Sequence, residues 1–224
     1  MFSLNNSNLL RSGFELGKGD KLFQDIERDI IKVVFWEQCV TQSHIVSATR
    51  IPQQTVSRLL KSLTQHGVIM QTDTLIPNKK GKPGFGIALN PEYGFTFGLA
   101  ILLDAISVAV MDFTGKVIYT HMQLMSDMSI NNVLKSAQKL VDDISAEHNI
   151  ASEKVLGMGV GISGFFSSMD GKMNTHHMLE EWSQVDIIDI VSKHFQLPTW
   201  VVNDATGAAA GEGVAGIGRE YKNF

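Results

Sequence analysis

Asp204 follows directly on the apolar segment TWVVN, and the small-residue run ATGAAAGEG comes after it. The pattern predicts a strand over 199–202 and a helix over 205–213. In open α/β sheets, ligands bind at the carboxyl ends of strands, and a carboxylate placed there can act as a general base. Asp204 is therefore a candidate base, a candidate ligand-binding residue, or an N-cap that accepts a backbone N–H of the helix.

Strand and helix patterns alternate through residues 94–224 and must position Asp204. Three strands come first, in GFTFGLAILL, AISVAVMDF and GKVIYTHMQLM, and Asp112–Gly115 predicts the turn between the last two. The remainder predicts a helix, a glycine-rich strand, a second helix and a last strand, over 130–148, 155–162, 186–195 and 199–202. The apolar face of the first of these helices consists of Val133, Leu134, Ala137, Leu140 and Val141. This order resembles an actin-like, sugar-kinase-type lobe of the α/β class.

Residues 22–90 predict compact helices followed by a small hairpin, and residues 1–21 a loose N-terminal arm. Thr41 and Ser43 are candidate caps for a short helix. In RIPQQTVSRLLKSLTQHGVI, Pro52 suits a first helical position and Gly67 suits the left-handed stop. The apolar face of that helix consists of Val56, Leu59, Leu60 and Leu63.

The opposite face of this second helix is polar and basic. Two short helices in tandem and a basic hairpin predict a winged helix-turn-helix, whose second helix fits the major groove. For any single residue the alternative is a solvated helix or loop. The candidate DNA-binding residues on the helix are Gln53, Gln54, Thr55, Ser57, Arg58 and Lys61. Those at the hairpin tip, placed to neutralise phosphates or to reach the minor groove, are Lys79, Lys80 and Lys82.

Charge is distributed unevenly along the chain. The net charge is −4 over 224 residues. Residues 1–90 carry 11 Lys+Arg against 7 Asp+Glu, and the remainder carries 8 against 16. A basic front end predicts a nucleic-acid contact at that end only. Cys39, the single cysteine, is expected to be a buried, reduced thiol in a helix. Because the sequence shows neither an apolar run that could span a membrane nor a signal peptide, we expect a cytoplasmic protein.

Several segments together resemble the ROK family of bacterial sugar-responsive repressors and sugar kinases. TVSRLLKSLTQHGVI and KGKPGFGIALNPEYG are similar to its repressor branch, GMGVGISGFFSSMDGKM to its glycine-rich sugar-site segment, and LPTWVVNDATGAAAGEG to its Asn-Asp-Ala segment. The resemblance implies that Asn203 and Asp204 are the sugar-contacting pair, with Gly164 and Asn174 as weaker candidates on neighbouring loops. In the kinases of the family, the residue matching Asp204 is the base.

The kinase branch holds ATP phosphates with Asp-x-Gly-Gly-Thr, and the matching stretch here differs at each of these positions. Ala100 stands for the Asp, Leu102 and Leu103 for the glycines, and Asp104 for the Thr. Bulky side chains prevent close backbone approach to phosphate, and a carboxylate repels it. We therefore expect no ATP binding and no phosphoryl transfer. Asp204 is accordingly expected to be a sugar ligand or a helix cap, in preference to a base.

The resemblance also implies segments that this sequence does not contain. In the family, the stretch similar to GIGREYKNF leads into a second glycine-rich loop, a zinc motif with cysteines and further sugar ligands, so no cofactor is expected here. We expect either a fragment of a longer repressor or a truncated relative. His176 and His177 are expected to point apart in an extended, solvated loop, without a metal site.

These observations predict a transcriptional regulator of sugar-related genes that is not an enzyme. Its expected partners are a double-stranded DNA operator, a sugar or sugar-phosphate effector or a partner protein, and a second copy of the chain in a homodimer. Two alternatives stay open. One is a truncated regulator that binds DNA or dimerises without sensing, and the other is an ATP-dependent sugar kinase.

Overall fold

The computed structural model describes residues 23–77, 83–166 and 173–216. They divide into two compact units. The helical unit contains residues 23–93 and the turn 112–115, and the sheet unit contains residues 94–111 and those from 116 onward. Within the described ranges, no helix is both long enough and apolar enough to cross a membrane.

Three helices and an antiparallel hairpin form the helical unit. Its elements are α1 (Asp25–Glu37), α2 (Gln42–Thr49), α3 (Gln53–Gln65), β1 (Ile69–Ile76) and β2 (Gly84–Leu89).

The ends of α2 and α3 follow from local chemistry. Thr41 caps α2, since its Oγ1 accepts the His44 N–H at 3.2 Å. Gly67, with φ of +71°, takes the left-handed conformation after α3 that the sequence predicts. Pro52 is the N-cap and α3 begins at Gln53, so the prediction that Pro52 is the first helical residue is wrong by one position. Arg50 turns the chain between the helices with φ of +59°.

The core of the helical unit uses the apolar faces of all three helices. The predicted face of α3 is buried in full, while Ile26 on α1 is 45% exposed. Burial of these side chains is the main contribution to the stability of so small a unit. The buried helix residues are Ile30, Val34, Ile45, Val56, Leu59, Leu60 and Leu63.

Cys39 differs from its prediction, because it follows the end of α1 and is half-buried instead of lying buried in a helix. Its Sγ lies 3.6 Å from Thr72 Oγ1 on β1. Gly86 of β2 passes so close to both atoms that a Cβ there would overlap them. The hairpin therefore requires glycine at this position.

A five-stranded mixed sheet forms the centre of the sheet unit. Its strands are β3 (Phe95–Ile101), β4 (Ala105–Asp112), β5 (Val117–Leu124), β6 (Val155–Ile162) and β9 (Thr199–Asn203). Their order in the sheet is β5-β4-β3-β6-β9. β3 pairs parallel with β6, β6 pairs parallel with β9, and β4 pairs antiparallel with β5. A two-stranded ladder joins β7 (Phe165–Phe166) and β8 (Met173–Asn174).

Helices cover one face of this sheet. Alternate residues of β3 and β6, such as Leu99 and Val160, are buried in one core with the apolar stripe of α4 (Ile130–Glu147). Trp182 of α5 (Glu180–Ser183) is fully buried, and its Nε1 donates to the Met128 carbonyl at 3.0 Å. The predicted core residues of α4 are all buried, namely Val133, Leu134, Ala137, Leu140 and Val141. The remaining helices are α6 (Ile187–Phe195) and α7 (Asp204–Ala215).

Candidate functional sites

The exposed face of α3 forms one wall of a groove of about 590 Å³ in the helical unit. Gln53, Ser57 and Lys61 recur every four residues and therefore lie in one stripe along the helix. The hairpin forms the opposite wall, with Phe85 and Ile87 of β2. A cation, a hydroxyl and an amide thus line this groove.

A second groove, of about 680 Å³, shares this stripe and continues around α3. Gln54 and Arg58 add a second exposed stripe, so five of the six predicted helix residues line the two grooves. Thr55 is half-buried and lines neither of them. Gln42, the first residue of α2, lines both grooves, and sequence reasoning missed it. The sequence did offer an indication: the predicted cap at Thr41 places Gln42 at the N-terminus of a helix, where anions are favoured.

Charge is segregated between the helices of this unit. α3 contains Arg58 and Lys61 and has no acidic residue. Acidic residues of α1 pair with basic groups on α1 and α2, including Asp25 with Arg28 at 3.6 Å and Glu37 with His44 at 2.8 Å, and none lines the two grooves. The groove along α3 therefore presents positive charge to an anionic partner. Lys79, Lys80 and Lys82 lie outside the described residues.

Asn203 and Asp204 stand at the junction of β9 and α7, beside the end of β6. Asn203 is the N-cap of α7, since its Oδ1 accepts the Thr206 N–H at 3.1 Å. Its Nδ2 donates to the Gly164 carbonyl. The prediction of Asp204 as N-cap is wrong by one position. Asp204 is the first helical residue, because the helix begins one residue earlier than expected and follows directly on the strand, which ends at Asn203.

Both carboxylate oxygens of Asp204 have partners. Oδ2 accepts a 2.5 Å hydrogen bond from Ser163 Oγ, and Oδ1 accepts the Ala205 N–H at 2.8 Å. Ser163 was missed as a partner in the sequence, although it precedes Gly164 in the loop after β6. The carboxylate retains lone pairs for further donors, such as ligand hydroxyls.

The four predicted sugar residues are only partly brought together. Gly164, Asn203 and Asp204 form one hydrogen-bonded junction with Ser163. Asn174 is exposed and pairs with Phe165, the residue after Gly164, in the β7–β8 ladder.

A shallow, mostly apolar groove of about 710 Å³ runs from Asp204 across the second face of the sheet. Small residues form its floor, so a ligand or a side chain can approach the sheet backbone closely. Trp200 borders it and is 40% exposed. The floor residues are Gly98, Ala100, Ala109, Gly159 and Gly161.

The segment that the resemblance relates to a phosphate loop is a tight hairpin connection here. Leu102 N–H donates to the Ala105 carbonyl at 2.9 Å within the turn, and the Asp104 carbonyl accepts the N–H of Met125, the residue after β5, at 2.8 Å. The Leu102 N–H and the Asp104 carbonyl are therefore already paired. Leu102 lines the apolar groove, and Leu103 is 37% exposed.

His176 and His177 do not diverge as expected. Their ring centroids lie 3.9 Å apart, because His177 begins a short 3-10 helix in which neighbouring side chains do not alternate as in a strand. His176 Nδ1 accepts the Met178 N–H at 3.4 Å. In the three described ranges, no three His, Cys, Asp or Glu side chains cluster as metal ligands.

The mixed sheet with helices packed against it places the sheet unit in the α/β class, and a model of the ROK family matches residues 96–224. The chain belongs to the ROK family. The uncharacterized protein y4fQ of Sinorhizobium fredii is 26% identical over 186 residues, 83% of this chain and 47% of that protein. The xylose repressor of Caldicellulosiruptor bescii is 23% identical over 186 residues, 82% of this chain and 46% of that protein.

Both alignments are longer than the segment 96–224, so they extend into the residues before the family match. The fold is similar to the crystal structure of a ROK family transcriptional regulator that is a homologue of the E. coli MLC protein. The TM-score is 0.58 at 14% identity, over 84% of this chain and 49% of that one. The chain spans about half the length of the relatives that it matches.

Proposed function

We propose that this chain is a DNA-binding transcriptional regulator of sugar-related genes, and that its helical unit is a winged helix-turn-helix. The observation that carries the proposal is the exposed face of α3, where Gln53, Ser57, Arg58 and Lys61 line grooves without an acidic neighbour on the helix. The likeness to proteins named as xylose repressors supports it.

In the proposed complex, α3 enters the major groove. Gln53 and Gln54 suit adenine edges, Arg58 suits a guanine edge, and Lys61 suits a phosphate. The lysines Lys79, Lys80 and Lys82 at the hairpin tip add phosphate or minor-groove contacts. A homodimer would read two half-sites of an inverted repeat.

The sheet unit supplies the proposed sensing function. Asn203, Asp204, Gly164 and Asn174 would contact a sugar or sugar-phosphate, with Asp204 accepting hydrogen bonds from hydroxyls. We propose no phosphoryl transfer, since Leu102 and Leu103 stand where the resemblance implies the phosphate-loop glycines, and the Leu102 N–H is used in the turn. Sugar-dependent ADP formation from ATP by the purified chain would contradict this part of the proposal.

Selection from a random duplex pool tests the proposal directly. The wild-type chain should enrich a sequence in which two half-sites repeat with inverted symmetry. Loss of one base-reading side chain costs about 1–3 kcal/mol, so Arg58→Ala should bind that sequence roughly tenfold to a hundredfold more weakly.

Lys135→Ala is the matched control, because Lys135 is exposed on α4 of the sheet unit and its loss changes net charge by the same amount. It should bind as tightly as the wild type. Failure to enrich any sequence, or equal losses in the Arg58 and Lys135 variants, would refute the assignment of α3 as the reading helix.

A further inference from the structure

The hairpin carries an exposed apolar pair that the core does not use. Leu75 of β1 and Phe85 of β2 are directly opposite each other, and each is 56% exposed. Phe85 shares its face of β2 with Ile87, which packs against the helical core, and with Leu89, which is buried. The core-facing side of the hairpin therefore continues past the helices as an uncovered apolar surface.

This surface borders the groove along α3. Phe85 lines the same cleft as Gln53, Ser57 and Lys61, so one wall is apolar and the other is polar and cationic. The hairpin passes close to Thr41 at this point, since a Cβ on Gly84 would lie 3.2 Å from its Cγ2. An occupant that contacts both walls would present negative charge to Lys61, hydrogen-bonding groups to Gln53 and Ser57, and apolar surface to the hairpin.

We propose that this groove holds one sugar–phosphate strand of duplex DNA, with a phosphate at Lys61 and deoxyribose against Phe85 and Leu75. A DNA strand carries both surfaces within a single nucleotide, since the phosphate is anionic and the C–H face of deoxyribose is apolar. The inference rests on the proposed function. It adds an apolar contact, which releases no counterions and whose contribution to the affinity is therefore independent of salt. Phe85 thus provides affinity that persists at high salt.

Binding of a fluorescent duplex of about 40 base pairs, four helical turns, tests this inference across salt concentrations. Phe85→Ala should lower the affinity roughly tenfold at every salt concentration, because apolar burial is lost. Its slope of log affinity against log salt should equal that of the wild type. Lys61→Ala should instead reduce the slope by about one.

Two further variants separate the contact from general damage to the hairpin. Phe85→Leu keeps an apolar side chain and should keep most of the affinity. Met122→Ala removes a side chain on β5 that is 61% exposed, and it should bind as the wild type does. All variants should melt within a few degrees of the wild type.

Specific outcomes would overturn the inference. If Phe85→Ala binds as the wild type while Lys61→Ala is weakened, the apolar contact is absent and DNA binding stands. If replacing thymine by uracil weakens the wild type but not Phe85→Ala, Phe85 contacts thymine methyls instead of deoxyribose. If the wild type binds no duplex at all, the proposed function itself fails.

Discussion

Ser163 donates a 2.5 Å hydrogen bond from its Oγ to Oδ2 of Asp204, which joins the loop after β6 to the first turn of α7. A second bond, from Asn203 Nδ2 to the Gly164 carbonyl, links the same two segments. The carboxyl ends of two neighbouring parallel strands are thus held together by side chains. This junction is a structural element of the proposed sugar site as well as part of its surface.

Asn203 should contribute to stability through both of its polar atoms. Asn203→Ala removes the cap of α7 and the bond to Gly164, and we expect a loss of about 1–2 kcal/mol in the free energy of unfolding. Asn203→Ser keeps an N-cap acceptor for Thr206 but not the donor for Gly164, so its loss should be smaller. Urea denaturation of both variants checks this, and equal losses would contradict the two-part role.

Gly86 should be intolerant of any side chain. An alanine Cβ there would approach Cys39 Sγ to 2.5 Å and overlap Thr72 Oγ1, so Gly86→Ala should lower the free energy of unfolding by about 1–3 kcal/mol. Gly98→Ala is the matched control in β3, where a Cβ would meet nothing within 4 Å. It should leave stability unchanged or raise it by roughly 0.5 kcal/mol. Thermal unfolding of the two variants should therefore differ clearly in Tm, and coincident melting curves would refute the close approach.

Tyr93 should make the helical unit less stable at alkaline pH. Burial raises the pKa of its hydroxyl above the ordinary 10.0. The centroid of its ring lies 4.7 Å from the centroid of the Phe113 ring. The stabilising contribution is complete below about pH 10, where both states are protonated. As pH rises through 10, the unfolded chain loses the proton first, so stability falls until the folded-state pKa is passed.

Comparison of Tyr93→Phe with the wild type isolates this effect from other groups that titrate at high pH. Between about pH 8 and pH 10.5, the wild type should lose free energy of unfolding relative to Tyr93→Phe, which has no hydroxyl to ionise. Urea midpoints measured at both pH values provide the test. A difference that does not change with pH would show that the Tyr93 hydroxyl is not perturbed in the native state.

Periodic patterns predicted most of this architecture. The apolar face of α3 and the stripe of α4 were predicted residue by residue, because burial imposes a helical period on the sequence. The Gly67 stop was predicted because few residues other than glycine adopt its backbone conformation. The ROK family was predicted from the order of several segments, and the family match to residues 96–224 confirms it.

The details that escaped prediction depend on contacts between distant segments. Ser163 meets Asp204 only because β6 and β9 are parallel neighbours, which no local pattern records. Gln42 lines the α3 grooves because α2 packs against α3. His176 and His177 lie together because a 3-10 turn replaces the expected extended segment. Local rules also misplaced both Pro52 and Asp204 by one residue, as helix boundaries commonly shift by one or two.

Amide hydrogen exchange of the chain, alone and with the selected duplex, tests most directly whether α3 binds DNA. We predict slower exchange in α3, from Gln53 to Lys61, and in the strands of the hairpin, while α4 from Ile130 to Glu147 is unchanged. Protection confined to the sheet unit, or exchange in α3 that is the same with and without the duplex, would contradict the proposal.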